Sequence, residues 1–407
     1  MGCETGKLFC AHSLSAVLNN RAKGNEMATA LIESIEMHFD ELKDPRRVTE
    51  NQYHHFIDIL VIAICGAISG ANYWTAIAAY GRAKEEWFRT FLELPEGIPS
   101  HDTFNDVFAK IDAEQFEKCF ISWVASISNL IPGEVIAVDG KTLRRSHDQA
   151  NGKKSIHMIS AWSTAHSVVL GQLKTEEKSN EITAIPMLLE MLSIEKCLVT
   201  IDAMGCQKKI AETILSRGAD YLLAVKDNQP TLYRAIQELF FESDEAIFNE
   251  NFSNYSEQTN KGHGRLETRR CWVCPNIDAL GFDTSVWKGL AAIVVIISER
   301  TIGDKTTMEC RCYITSCKKK SAAYYLKAIR DHWHVENKLH WVLDVAFRED
   351  ESRLRKGHGA ENFSILRRIA LNLLKKEKTD KTGIETKRLR AGWDNDYLKT
   401  VLAGMFS

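Results

Sequence analysis

At 407 residues, 44% hydrophobic and 26% charged, the chain has a globular composition and the length of two or three domains, enough for a large core. The net charge of −2 excludes a uniformly cationic coat, yet Lys318 to Thr400 holds 20 Lys and Arg against 12 Asp and Glu, a basic stretch that suits a phosphate backbone or a solvated helical surface. Eleven cysteines, odd in number and scattered with no secretory signal before them, predict free thiols in a reducing cytoplasm.

Residues 1–27 have no apolar period and read as a loose N-terminal extension. A myristoylation start at Met1-Gly2-Cys3 is discarded, because Gly6 stands where that motif needs Ser or Thr. Residues 28–130 read as an all-helical domain. Phe56, Ile59, Leu60, Ala63 and Ala67 keep helical period, and Phe104, Val107, Phe108 and Ile111 do so after the break at Pro95 to Pro99. Ser100 or Asp102 caps that helix and Asp112 the next, whose stripe is Phe116, Phe120, Trp123 and Ile127. The apolar run Phe56 to Ala71 contains Asp58 and is too short for a membrane span. Periodicity does not separate a nucleic-acid-reading unit from a docking bundle.

From Gly133 the period changes from helix to strand. Val135–Asp139, Ile156–Trp162 and Ser167–Leu173 predict a three-strand meander, followed by a helix at 182–192 with Pro186 in its first turn. A strand Cys197–Asp202, a helix Gln207–Ser216 and a strand Tyr221–Val225 complete an α/β core of mixed sheet. Residues 228–318 read as a β-rich insertion, with strands at Arg269–Cys274, Leu290–Ser298 and Met308–Ile314. Cys271/Cys274 and Cys310/Cys312 make a poor zinc site, because an i, i+3 pair on a strand points to opposite faces. The core closes near 378 after an amphipathic helix Glu361–Lys376, and 379–407 read as a basic C-terminal tail.

The stretch Ile329 to Phe347 carries Ile329, Trp333, Leu339, Val342, Leu343 and Val345 at helical spacing without Gly or Pro, predicting a helix buried on much of its surface. His332, Glu336, His340 and Asp344 recur every four residues along one side of it. A buried carboxylate needs a cation or a donor nearby, or it neutralises. His332 and His340 lie about 12 Å apart along a helix, too far to share one zinc ion. Trp333 and Trp341 can stack on a flipped base, but core packing is the expected fate of both.

Asp139 and Asp202 each end an apolar strand run, VIAVD and LVTID, where an α/β sheet opens its ligand crevice. A strand-end Asp is also a common turn former. With Glu336 from the later helix, three acids can converge. Clustered carboxylates repel one another, and divalent cations relieve the repulsion, Mg²⁺ or Mn²⁺ suiting an oxygen cage. Two such ions support in-line phosphoryl transfer.

Val138-Asp-Gly-Lys-Thr-Leu143, Lys178-Ser-Asn-Glu-Ile-Thr-Ala-Ile-Pro186, Thr200-Ile-Asp-Ala-Met-Gly-Cys-Gln207 and His332-Trp-His-Val-Glu-Asn-Lys-Leu-His-Trp341 resemble the H-repeat-associated DDE transposases of bacterial insertion sequences. The resemblance covers residue 28 to the C-terminus. It implies a ribonuclease-H-like mixed sheet with flanking helices (131–378) interrupted by the β-rich insertion, and Asp139, Asp202 and Glu336 as catalytic and metal-binding residues. It further implies DNA cleavage and strand transfer at terminal inverted repeats. The expected partners are double-stranded DNA and further copies of the chain, with no membrane and no small-molecule substrate. Where related enzymes carry a Tyr and an Arg before the Glu and a Lys after it, this chain has Ile329, His332 and Leu343. Lys141, Arg144 and Arg145 beyond the first Asp, Arg265 in the insertion, and Arg330, His332, Lys338 and His340 around the Glu are the candidate DNA contacts, with His263 a further possibility. A nuclease that cuts without joining, and a domesticated or decayed copy that binds DNA without catalysis, are the alternatives.

Overall fold

The computed structural model describes residues 33–47, 53–147, 154–175, 180–262, 264–318 and 320–405. The expected extension 1–27, His263 and the Lys178-Ser pair lie outside the described residues. By contacts the chain forms two compact units, one of residues up to Ile127 together with those from Val342 onward, the other Ser128–Trp341. This grouping assigns the segment after 341 to the helical unit, whereas the sequence boundary was drawn at 378.

In the helical unit, α1 (Phe56–Ile68) is buried from Asp58 to its end. It is followed by α2 (Trp74–Ala83), α3 (His101–Lys110) and α4 (Ala113–Ile127). Both expected caps form: the Ser100 hydroxyl accepts from the Thr103 N–H at 3.1 Å and Asp112 Oδ1 from the Gln115 N–H at 2.9 Å.

The second unit is built on one nine-stranded sheet. Its strands are β1 (Val135–Thr142), β2 (His157–Ser163), β3 (Val168–Thr175), β4 (Leu198–Ile201), β5 (Asp220–Val225), β6 (Asn254–Gly262), β7 (Arg265–Cys274), β8 (Ala292–Ile302) and β9 (Lys305–Thr315). The order is β3-β2-β1-β4-β5-β9-β8-β7-β6. The first three strands form the antiparallel meander, while β4 and β5 run parallel to β1. This 3-2-1-4-5 core is the ribonuclease-H-like arrangement that the resemblance implied. The insertion does not stand apart from it, because β9 pairs antiparallel with β5 and carries the sheet outward.

Three insertion elements differ from the sequence reading. The helices α7 (Pro230–Gln237) and α8 (Glu245–Asn251) are regular where an irregular stretch was expected, and β6 was missed. β6 is an edge strand of sequence NYSEQTNKG, and with no apolar face to bury it shows no alternation. Helices α5 (Glu181–Met191) and α6 (Lys208–Ser216) pack together, α5 against β2 and β3 and α6 against β5. Pro186 stands in the second turn of α5 rather than the first. Helix α9 (Ala322–His332) packs on β1, β4, β6, β7 and β8, burying Tyr325, Leu326 and Ile329 against Val135, Leu198, Leu222 and Val294.

The later helices belong to the helical unit: α10 (Gly359–Lys376), α11 (Ile384–Trp393) and α12 (Asn395–Leu402). Helix α10 was expected to be amphipathic, but it is buried on every side from Gly359 to Leu374, wrapped by α1, α3, α4, α11 and α12. Its polar residues are therefore internal, and the Asn362 amide donates to the Phe108 and Ile111 carbonyls at 2.7 and 2.9 Å. The basic excess of this segment is correspondingly not all surface charge. Arg367, Arg368, Lys387 and Arg388 are buried, and residues 384–402 of the expected tail are mostly helical. Among the described residues every cysteine is free, and no helix is long and apolar enough to cross a membrane.

Candidate active site

The two strand-end aspartates are neighbours by register. β1 and β4 pair from Val135 with Leu198 to Val138 with Ile201, so the next step along each chain is Asp139 and Asp202. Strand alternation puts Val135, Ala137 and Asp139 on one face and Leu198, Thr200 and Asp202 on the same face next door. Val135 and Leu198 pack there against Ile329, so both carboxylates belong to the face that α9 covers. Asp202 is also the turn former that the sequence allowed, its Oδ1 accepting from the Met204 N–H at 3.1 Å.

Helix α9 is pinned beside them by its last residue, since His332 Nδ1 lies 2.9 Å from the Thr200 hydroxyl. The chain then turns at Trp333 and re-enters helix, but Glu336–His340 is a π-helical turn in which the Trp341 N–H donates to the Glu336 carbonyl five residues back. The predicted uninterrupted α-helix is thus broken twice. Burial also differs from expectation: Trp333 is 45% and Trp341 60% exposed, rather than packed in a core. Trp333 instead lies under the Arg311 guanidinium, 4.4 Å from its ring centroid.

Past the π-turn, His340 Nδ1 is 3.5 Å from Asp139 Oδ2 and 3.5 Å from Glu336 Oε2. Ligand atoms of Asp139, Glu336 and His340 all lie within 4.8 Å of one another, a set of donors that could hold a metal ion. Asp202 falls outside this closest set but acts on it through charge. Burial pushes the Asp139 carboxyl up to about 6, and the negative charges of Glu336 and Asp202 push the same way, while His340 and a backbone N–H oppose them. Glu336, the more exposed acid, is held below its usual range chiefly by His340 beside it, helped by the charge of Lys141. A buried carboxyl that resists ionisation beside two further acids is the situation a cation relieves, so the residues fit a divalent ion.

Behind Asp139 the fold needs Gly140. A Cβ there would stand 2.4 Å from His157 Nε2 and 2.5 Å from Glu181 Oε1. Those two groups form a buried pair at 2.5 Å, and the other ring nitrogen of His157 lies 2.9 Å from the Thr142 hydroxyl. The Gly of the VDGKT motif and the Glu at the start of α5 are therefore parts of one arrangement. Sequence reasoning missed His157. The only signal was its place opposite Thr142 in the meander.

The candidate DNA contacts divide. Lys141 lies on β1, is 9% exposed, and contributes its charge to Glu336. Arg144 and Arg145 occupy an exposed turn after β1, and Arg265 is exposed at the start of β7. Arg330 donates to Gln258 Oε1 of β6 at 2.6 Å, and Lys338 is half-buried on the π-turn. Two residues are corrected as surface cations. Burial pushes His332 down to about 4, so it is neutral near pH 7, and His340 is 5% exposed and turned into the acid cluster.

Residues 131–373 match the family described as Transposase DDE domain, and residues 36–124 match its associated domain, described as DDE_Tnp_1-associated. The chain belongs to the DDE transposase family. It is 44% identical over 362 residues to YhhI of Escherichia coli K12, described as an H repeat-associated transposase, covering 88% of this chain and 95% of that protein. It is also 44% identical over 357 residues to the transposase YncI of Escherichia coli O157:H7, covering 86% of this chain and 90% of that one. A solved piggyBac transposase synaptic complex with hairpin DNA aligns at 10% identity with a TM-score of 0.41, covering 94% of this chain and 78% of that chain, too low a score to carry an argument. The DDE family is thus established by sequence, and the ribonuclease-H-like sheet by strand order.

Proposed function

We propose that this transposase cleaves DNA at the terminal inverted repeats of an insertion sequence and joins the freed ends to a target, with Asp139, Asp202 and Glu336 as its catalytic carboxylates. The observation that carries the reading is the register of β1 and β4, which makes Asp139 and Asp202 neighbours on the face where the π-turn following α9 brings Glu336 to within 4.8 Å of Asp139. Water adds to the scissile phosphorus and the bond to the 3′ oxygen breaks. The free 3′-hydroxyl then attacks a phosphodiester of the target, displacing its 3′ oxygen. Two Mg²⁺ or Mn²⁺ ions, bound by the three acids, would supply the charge that activates the entering oxygen and stabilises the leaving one.

The chain's own groups prepare that chemistry. Burial raises the Asp139 carboxyl to about 6, a cost that a bound cation would relieve by favouring the ionised form, and the Lys141 charge favours the ionised form of Glu336. Arg144, Arg145, Arg265, Arg330 and Lys338 are the DNA contacts of this reading, placing duplex phosphates rather than reading bases. Assembly of several copies on paired element ends belongs to the same proposal. In the test, purified protein is incubated with its own element ends and Mg²⁺. Asp139→Asn, Asp202→Asn and Glu336→Gln should each abolish cleavage and strand transfer while duplex binding persists. Cleavage retained in all three would overturn the assignment. Cut ends that are never joined would leave a nuclease, and metal-independent duplex binding without cleavage by the native chain would leave a decayed DNA-binding copy.

A further inference from the structure

The acids of the proposed site are met by a residue that the three-carboxylate reading does not use. His340 is 5% exposed, its Nδ1 faces both Asp139 and Glu336 at 3.5 Å, and its Nε2 has no hydrogen-bond partner among the described residues. A histidine serving only as a bridge between carboxylates would donate one proton, to one acceptor, at about 2.7–3.2 Å. Here neither carboxylate is at that distance and the two are equally far. With the proton on Nε2, the Nδ1 lone pair and two carboxylate oxygens lie within 4.8 Å of one another. Three electron-rich atoms so placed repel one another unless a cation lies between them.

The two spacings from Nδ1, 3.5 Å each, agree with such a cation. Donors about 2.0–2.2 Å from one ion, at tetrahedral to octahedral angles, stand about 3.0–3.5 Å from each other. The backbone supplies a second, independent feature. Glu336 and His340 open and close the π-helical turn, whose extra residue per hydrogen-bonded turn sets both side chains toward Asp139. Turns of this kind recur inside helices at functional sites.

We propose that His340 is a direct metal ligand through Nδ1, completing an oxygen, oxygen, nitrogen site with Asp139 and Glu336. The inference deepens the reading of these acids as metal ligands and rests on it. The cation class follows from the donors. A purely carboxylate cage favours Mg²⁺ and Ca²⁺, whereas an imidazole raises affinity for first-row transition ions such as Mn²⁺ and Co²⁺.

The test is pulsed electron paramagnetic resonance of the native full-length chain loaded with one equivalent of Mn²⁺, without DNA. A directly bound imidazole gives ¹⁴N modulation of the electron spin echo, and that modulation is expected in the native protein. It should vanish in His340→Ala and persist in His332→Asn, the other histidine near the acids. In titrations of the native chain, Co²⁺ and Mn²⁺ should bind at least tenfold more tightly than Mg²⁺, and His340→Ala should shrink that preference. Mn²⁺ that binds, and is lost in Asp139→Asn, but shows no ¹⁴N modulation overturns the histidine ligand while leaving the carboxylate site standing. Failure of the native chain to bind Mn²⁺ at all overturns both. Because the decisive spectrum is that of the unmutated protein, misfolding of His340→Ala does not spoil the test.

Discussion

Thr200 and His332 share a hydrogen bond of 2.9 Å that joins β4 to the last residue of α9, two positions before Asp202 and four before Glu336. The contact fixes where the helix ends relative to the strand. Burial, rather than this bond, keeps the histidine from acting as a cation. Burial pushes His332 down to about 4, against the ordinary 6.5. Between these values the unfolded chain binds a proton that the folded chain refuses, so the buried neutral ring costs the fold nothing above about pH 6.5 and destabilises it increasingly as pH falls toward 4. NMR of the metal-free protein should show the His332 ring neutral down to pH 5. Thr200→Val should cost about 1–3 kcal/mol by leaving a ring nitrogen without a partner. A ring titrating near 6.5 would refute the account.

Gly140→Ala tests the arrangement behind the first aspartate. The added methyl would overlap both His157 and Glu181, which are buried and bonded to each other and cannot swing into solvent. Overpacking of this kind costs about 1–3 kcal/mol. Because β1 must shift to make room, and Asp139 is the adjoining residue, metal-dependent cleavage should fall further than stability does. Thermal melting and cleavage kinetics on one preparation separate the two, and native activity at unchanged melting temperature would show the cavity is not filled.

The parts of this fold legible in the sequence are those whose burial has a period. The strands VIAVD and LVTID are apolar because both faces of the central sheet are covered, and their ends marked the aspartates. β6 left no trace, because a polar edge strand held by backbone pairing and by polar contacts such as Glu257 with Arg270 and Gln258 with Arg330 has no apolar period. Helix α10 misled in the opposite direction. It was expected to be amphipathic, but its Arg367 and Arg368 lie inside beside Glu349, nearly twenty residues upstream in sequence. The site shows the same limit: a period of four along one helix brought Glu336 and His340 together on paper, but not the π-turn between them or the aim of His340 at Asp139. Long-range partnerships of charged groups have no periodic signature.

Glu349 should be among the most sensitive positions of the helical unit. Arg368 Nη1 lies 2.8 Å and Arg367 Nη1 3.9 Å from its Oε1, and all three side chains are buried. Removing Glu349 takes the counter-charge from Arg368 and leaves Arg367 only the weaker influence of Asp344, so Glu349→Ala should destabilise by about 3–5 kcal/mol. Replacing Glu349, Arg367 and Arg368 together by Met should recover most of that loss, because the desolvation cost disappears with the charges. Chemical denaturation of the single and triple variants decides it, and a triple variant no better than the single would show that the cluster is needed for packing.

Glu377, just after α10, sets an acid limit on the same unit. Burial alone would raise its carboxyl, but donors from Thr379, Lys387 and Tyr397 outweigh it and hold the group at about 2. The Lys387 ammonium is 3.0 Å and the Tyr397 hydroxyl 2.9 Å from Oε2, and the Thr379 N–H is 2.5 Å from Oε1. A folded-state value below the unfolded one, about 4.5, makes the stabilisation complete above pH 4.5 and progressively lost as pH falls toward 2. Glu377→Gln should therefore be less stable than the native chain at pH 7. The gap should close as both are melted at successively lower pH, since the native carboxyl then takes up the proton whose absence kept Lys387 paired. A gap that stays constant from pH 7 to pH 3 would assign the loss to packing of the side chain rather than to its charge.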